Sequence, residues 1–174
     1  MLYTQMSIPI PVPSDSFLDG YARRAAFTDC YAVTVSGSIS LAVLIEAFYT
    51  SRLFKVERWL LATVLRLQST DEQARKLADG SIKTFSAWRV ESRSATEILL
   101  AAWQTRSWLG VASNEQDNET TLLFGSAVIP TRPDGKFGFA FHASGGFHRL
   151  YSRLLLSAAR RRVVAATRAS KSAA

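Results

Sequence analysis

Apolar and polar positions change their period several times along the chain, and each change marks an element. Between Asp29 and Ser40, Tyr31, Val33 and Val35 alternate with Ala32, Thr34 and Ser36, which predicts a strand. Gly37 marks a bulge or a bend near its end. Ser40 stands as an N-cap for a helix over Leu41–Tyr49, where Leu41, Leu44, Ile45 and Phe48 fall on one face. From Leu53 to about Leu67 a second helix follows: Val56, Trp59, Leu60, Val64 and Leu67 recur at three and four residues, with Glu57, Arg58 and Arg66 off the stripe. A third, shorter helix starts after Thr70, carries Asp71 and Glu72 in its first turn and stops at Gly80.

The next fifty residues read as strands: Lys83–Ser92, Thr96–Thr105, Arg106–Asn114 and Glu119–Pro130. They are short, aromatic and β-branched, and polar loops at 92–95 and 114–118 separate them, which predicts an antiparallel meander. Thr131–Gly146 reads as a loop, with alternating Phe137, Phe139 and Phe141 admitting one more strand. A long helix closes the pattern through His148, Tyr151, Leu155, Ala158, Ala159, Arg162 and Val163, widened by Leu150, Leu154 and Leu156. At the other end, Pro9, Pro11 and Pro13 force residues 1–27 into an extended arm, lying on the body or frayed, with a short helical turn within Asp15–Arg24. The expected organisation is a single domain over 28–168 and a disordered tail over 169–174. Strands and helices are segregated, so the fold class is α+β.

Composition adds limits rather than detail. The 174 residues suit one domain, and 48% hydrophobic with 20% charged residues excludes wholesale disorder. Cys30 is the only cysteine, so no intrachain disulfide forms, and one Cys with two His cannot build a usual structural zinc set. The net charge of +7 is uneven. Residues 1–134 hold 13 basic and 14 acidic side chains, whereas eight cations and no anion follow Asp134. Such asymmetry suits an anionic partner or surface, or simply a solvated helix end. No nucleic-acid motif accompanies it, so no nucleic-acid partner is expected. Prolines interrupt the apolar N-terminus, and the uncharged window Cys30–Ile45 is short of a membrane span. A cytoplasmic protein without a transmembrane segment is expected.

The order of elements resembles the helix-grip fold of the START, plant pathogenesis-related allergen and polyketide-cyclase superfamily. The first strand would be 29–39, the paired helices 41–67, the meander 83–130 and the gripping helix 147–166. Several strings are similar to bacterial proteins of unknown function in this superfamily: Phe85–Val90, Glu97–Leu100, Arg106–Leu109, Leu123–Ser126 and His148–Arg153. The resemblance implies a curved antiparallel sheet around the last helix, with two or three short helices after the first strand. It also implies a cavity between sheet and helix. The superfamily hosts carriers, cyclases and receptors, so the fold alone does not fix function.

Catalytic and metal signatures are poor. His142 and His148 are the only histidines, six apart, and no Gly-x-Ser-x-Gly, His-x-x-His or Walker pattern is present. A Ser–His or Cys–His pair would have to use Ser144, Ser152 or Cys30. Gly145-Gly146 before the last helix, with Arg149 nearby, is at most a weak anion cradle. No cofactor or metal is expected. The aromatic strands are the stronger lead: Trp88, Trp103, Trp108, Phe85 and Phe124 would line a concave face or fill a core. Arg89, Glu97 and Arg106 sit inside apolar strands and must face outward or be paired. Trp88 and Arg89 cannot share a face, whereas Arg106 and Trp108 do. The expected ligand-binding set is Trp88, Trp103, Arg106, Trp108, Phe124, His148 and Tyr151. Three readings follow: a binder of a small apolar or amphipathic ligand, an interaction protein with a filled core and a basic helix that docks to a partner, and a cyclase- or dehydratase-like enzyme using Arg106, Tyr151 or His148. The first is preferred.

Overall fold

The computed structural model describes residues 6–24, 26–66, 69–130 and 139–172. The side chains at 57, 60–65, 139–148 and 170–172 lie outside that description. The elements are β1 (Ile8–Pro9), α1 (Asp19–Ala22), β2 (Phe27–Ser36), α2 (Leu41–Tyr49), α3 (Arg52–Leu65), α4 (Asp71–Asp79), β3 (Thr84–Phe85), β4 (Trp88–Arg93), β5 (Glu97–Ala102), β6 (Thr105–Asn114), β7 (Glu119–Val128) and α5 (Phe139–Ser172). The fold is α+β. Among the described residues all strands join one antiparallel sheet in the order β1-β2-β7-β6-β5-β4-β3. The meander therefore runs inward from β3 to β7, and β2 closes on β7 over its whole length, from Phe27↔Val128 to Ser36↔Glu119.

Local chemistry explains the helical insert between β2 and β3. Gly37 takes a φ of 96°, which turns the chain out of the sheet. Ser40 then caps α2 by accepting from the Val43 N–H at 3.4 Å. A capping box between Thr70 and Gln73 starts α4, and Gly80 in the left-handed region ends it. Two arginines lock the insert down. Arg58 of α3 donates to Asp71 at 2.6 Å and to the Ser69 hydroxyl at 3.0 Å. Arg93 of β4 donates to the Leu77 and Ala78 carbonyls at the end of α4, where Leu77 also accepts from the Gly80 N–H.

The sheet buries both faces. Odd positions of β2 (Tyr31, Val33, Val35) join Leu122, Phe124, Leu109 and Leu100 under α2, α3 and α5, forming the larger core. Even positions (Cys30, Ala32) join Leu99, Trp108, Leu123 and Ala127 in a smaller core. Leu18 completes that second core, and Ile10, Val12, Phe17 and Tyr21 pack against it. The proline-rich segment is thus a cover over one face of the sheet.

Three sequence expectations are corrected. α5 begins at Phe139, eight residues before the predicted start, so Phe139, Phe141 and the Gly145-Gly146 pair are helical rather than strand or loop. Its helix also continues to Ser172, where a disordered tail was expected. The predicted strand Lys83–Ser92 is a tight hairpin instead, broken at Ser86, whose φ is 52°. Leu67 and Phe137 lie outside the described residues.

Candidate functional site

The inner face is filled by aromatic rings near its centre and opens toward one end of α5. Phe48 packs on Phe124 at 4.9 Å between centroids, and Phe54 on Trp88 at 5.4 Å. Beyond these rings lies a cavity of about 170 Å³ between the sheet and α5. Phe48, Phe54, Trp88, Phe124 and Leu155 form its apolar wall, and Thr105, Ser107, Ser126, Tyr151 and Ser152 its polar side. That division follows from the pleat. Inner positions of β6 and β7 change from Leu109, Leu122 and Phe124 to Thr105, Ser107 and Ser126 toward one end of the sheet.

Two polar features of this cavity differ in kind. The Ser126 hydroxyl is engaged: it donates to Asp29 Oδ1 at 2.6 Å, and the Ser126 N–H donates to the same oxygen at 3.2 Å. Asp29 Oδ2 accepts from the Tyr31 hydroxyl at 3.2 Å. Burial, followed by the neighbouring Asp29 carboxylate, pushes the Tyr31 phenol up to about 12. The Ser152 hydroxyl is the opposite case. Ser152 is 1% exposed, its oxygen is buried, and among the described residues it has no hydrogen-bond partner. A helical serine ordinarily bonds back to the preceding turn or to solvent, and this one does neither.

The expected site residues divide between places. Trp88, Phe124 and Tyr151 border the cavity together. Arg106 borders it only by its place on β6. Its guanidinium lies on the other face, where Nε is 2.7 Å from Glu91 Oε2 and 2.9 Å from the Tyr21 hydroxyl, which itself donates to Glu91. Trp108 shares that outer face, and its indole N–H donates to Glu97 Oε2 at 2.6 Å. The pair therefore shares a face, as alternation predicts, but not the face against α5. Trp103 does not lie in a strand. It sits in the β5–β6 turn with a φ of 48° and is 70% exposed. The His148 side chain is outside the described residues.

Sequence reasoning missed Asp29, Thr105, Ser107 and Ser126 as cavity or network residues. The signal available was polar side chains on the apolar phase of a strand, above all Asp29 in phase with Tyr31, Val33 and Val35. Cys30 faces the outer core, and burial pushes its thiol up to about 12, so it is no activated nucleophile. Among the described residues no cluster of three His, Cys, Asp or Glu side chains is placed to hold a metal, and no helix is long and apolar enough to cross a membrane. The chain matches no protein-family profile, no curated protein and no solved structure.

Proposed function

We propose that this chain is a helix-grip protein that binds a small amphipathic molecule between its sheet and α5. The observation that carries the reading is the buried, unpartnered Ser152 hydroxyl beside an aromatic wall. A buried hydroxyl without a partner costs about 1–3 kcal/mol, and a ligand oxygen at that point would remove the cost. Volume sets the ligand's size. A cavity of about 150 Å³ accommodates one benzene ring, so about 170 Å³ suits one ring or a short chain with a single polar atom. The strand order, with β2 closing a meander against a long C-terminal helix, supports membership of the helix-grip superfamily.

Native mass spectrometry of the protein purified from a bacterial host, gentle against denaturing, tests for a co-purified molecule. Titration with phenol and with benzene, followed by the amide resonances of Phe124, Tyr151 and Leu155, tests the pocket directly. The expected result is saturable binding of both, with phenol weakened about tenfold by Ser152→Ala and benzene unaffected, since one hydrogen bond is worth about 1.4 kcal/mol here. A clean apo mass together with no response to either probe would sink the reading. It would favour a filled core and a docking role for the basic helix.

A further inference from the structure

The basic C-terminal run has no part in the cavity beside Ser152, and its arginines are not equivalent. In Arg160-Arg161-Arg162, the last two are exposed, while Arg160 is half-buried with its Nε fully covered. That Nε finds no acceptor among the described residues. A guanidinium cannot shed its proton, so this N–H remains a donor at every accessible pH. Arg160 borders a cleft of about 320 Å³ between α5 and the paired ends of β2 and β7, nearly twice the volume of the cavity near Ser152. Val35 of β2 and Val163 and Val164 of α5 give the cleft an apolar wall. Arg168, two turns after Arg160, adds a second cation, and the exposed Glu119 is the one acidic side chain bordering it among the described residues.

We propose that this cleft is a second binding site, for the carboxylate of a small amphipathic acid. The buried Arg160 donor calls for an oxyanion, and a planar guanidinium matches a carboxylate edge-on. The valines call for an apolar tail on that anion. Glu119 discriminates between anions: a dianion such as phosphate meets more repulsion from it than a monocarboxylate does. The volume holds about ten water-sized groups, which suits a medium-chain acid. The site is independent of the cavity near Ser152, because Arg160 lies eight residues further along α5, about 12 Å away along its axis.

The test is an NMR titration of the full chain, following the Arg160 Nε–Hε resonance, assigned by its loss in Arg160→Gln. The probes are hexanoate, acetate and inorganic phosphate at constant ionic strength. Hexanoate is expected to shift the resonance saturably and to bind at least about tenfold more tightly than acetate, because its four extra methylenes meet the valine wall. Arg160→Lys, which keeps the charge but loses the buried Nε, is expected to weaken hexanoate and acetate alike, read on the backbone amides of Val163 and Val164, and Ser152→Ala to leave both affinities intact. No response to hexanoate at about 10 mM would overturn the proposal, and the wild-type titration does not depend on any variant folding. Equal responses to all three anions would overturn it too, as would a shift of the same size produced by Glu119→Gln without ligand. The last result would make Glu119 the partner of Arg160 in solution.

Discussion

The two faces of the sheet are built from the same materials and finished differently. Each carries tryptophan, aliphatic side chains and isolated polar groups. On the outer face every polar group described above is met by a local partner. Glu97 Oε2 accepts from the Trp108 indole at 2.6 Å and from the Phe17 N–H at 3.0 Å, and Arg106, Glu91 and Tyr21 satisfy one another. Packing there leaves no slack: a methyl on Gly125 would sit 2.5 Å from Leu18 Cδ2 and 2.8 Å from the Asp29 carbonyl oxygen. On the inner face the rings pack as closely at the centre, yet toward one end a cavity remains and Ser152 goes unanswered. An aromatic residue beside a charge is therefore no sign of a site by itself. What separates scaffold from candidate site is whether the fold itself satisfies the polar atom.

The sharpest way to break this comparison is to open the closed face. Trp108→Ala is expected to destabilise the fold by about 3–5 kcal/mol, because it removes a buried ring and leaves Glu97 short of one donor. Denaturant unfolding measures it, and a loss below 1 kcal/mol would mean that the arm does not hold this core. Next in size is Gly125→Ala. The new methyl must displace Leu18 or the β2 backbone, at about 1–3 kcal/mol by the same measurement. Phenol binding at the inner cavity should survive both changes in the folded fraction.

A pH dependence sharpens the comparison from the side of Cys30. Its thiol is raised from an ordinary value near 9 to about 12, chiefly by burial in the outer core. Below pH 9 the thiol is neutral in both states and contributes nothing to the slope. Above it the unfolded chain ionises first, so stability falls as pH rises toward 12. The loss attributable to Cys30 is about 1 kcal/mol by pH 10, and Cys30→Ala should remove that share. Tyr31, raised to about 12 on the inner face, adds a similar fall beginning near pH 10 in either protein. An unchanged alkaline slope in Cys30→Ala would contradict the burial of the thiol.

What was legible in the sequence follows the range of the interactions. Caps and helical stripes are local, so Ser40, Thr70 and Gly80 could be read directly. Alternation is local too, and it put Trp88 and Arg89 on opposite faces, as found. It could not say which face α5 would cover, and so Arg106 and Trp108 were expected at a cavity they do not face. Deciding that required the proline-rich segment, whose Leu18 and Phe17 meet residues about eighty positions away. The Ser126–Asp29 link spans 97 positions, beyond any periodicity. Trp103 was misread for another reason. Its aromatic side chain argues for a strand, while its backbone makes the turn between two of them.

The smallest expected change in stability carries the most weight for function. Ser152→Ala deletes a hydroxyl with no partner among the described residues and leaves a methyl at the cavity wall. Most buried serines are bonded, and their loss destabilises. Here the unfolding free energy should stay level or rise by about 1 kcal/mol, because a desolvation cost disappears with the oxygen. The same substitution should weaken phenol about tenfold. The two readouts must move apart. If stability and phenol affinity fall together, Ser152 is an ordinary structural hydroxyl with a solvent partner. The inner face would then be satisfied as completely as the outer one, and the contrast between them would reduce to a packing defect. If stability holds while phenol affinity drops, the polar end of the cavity is tuned for a ligand atom rather than for the fold.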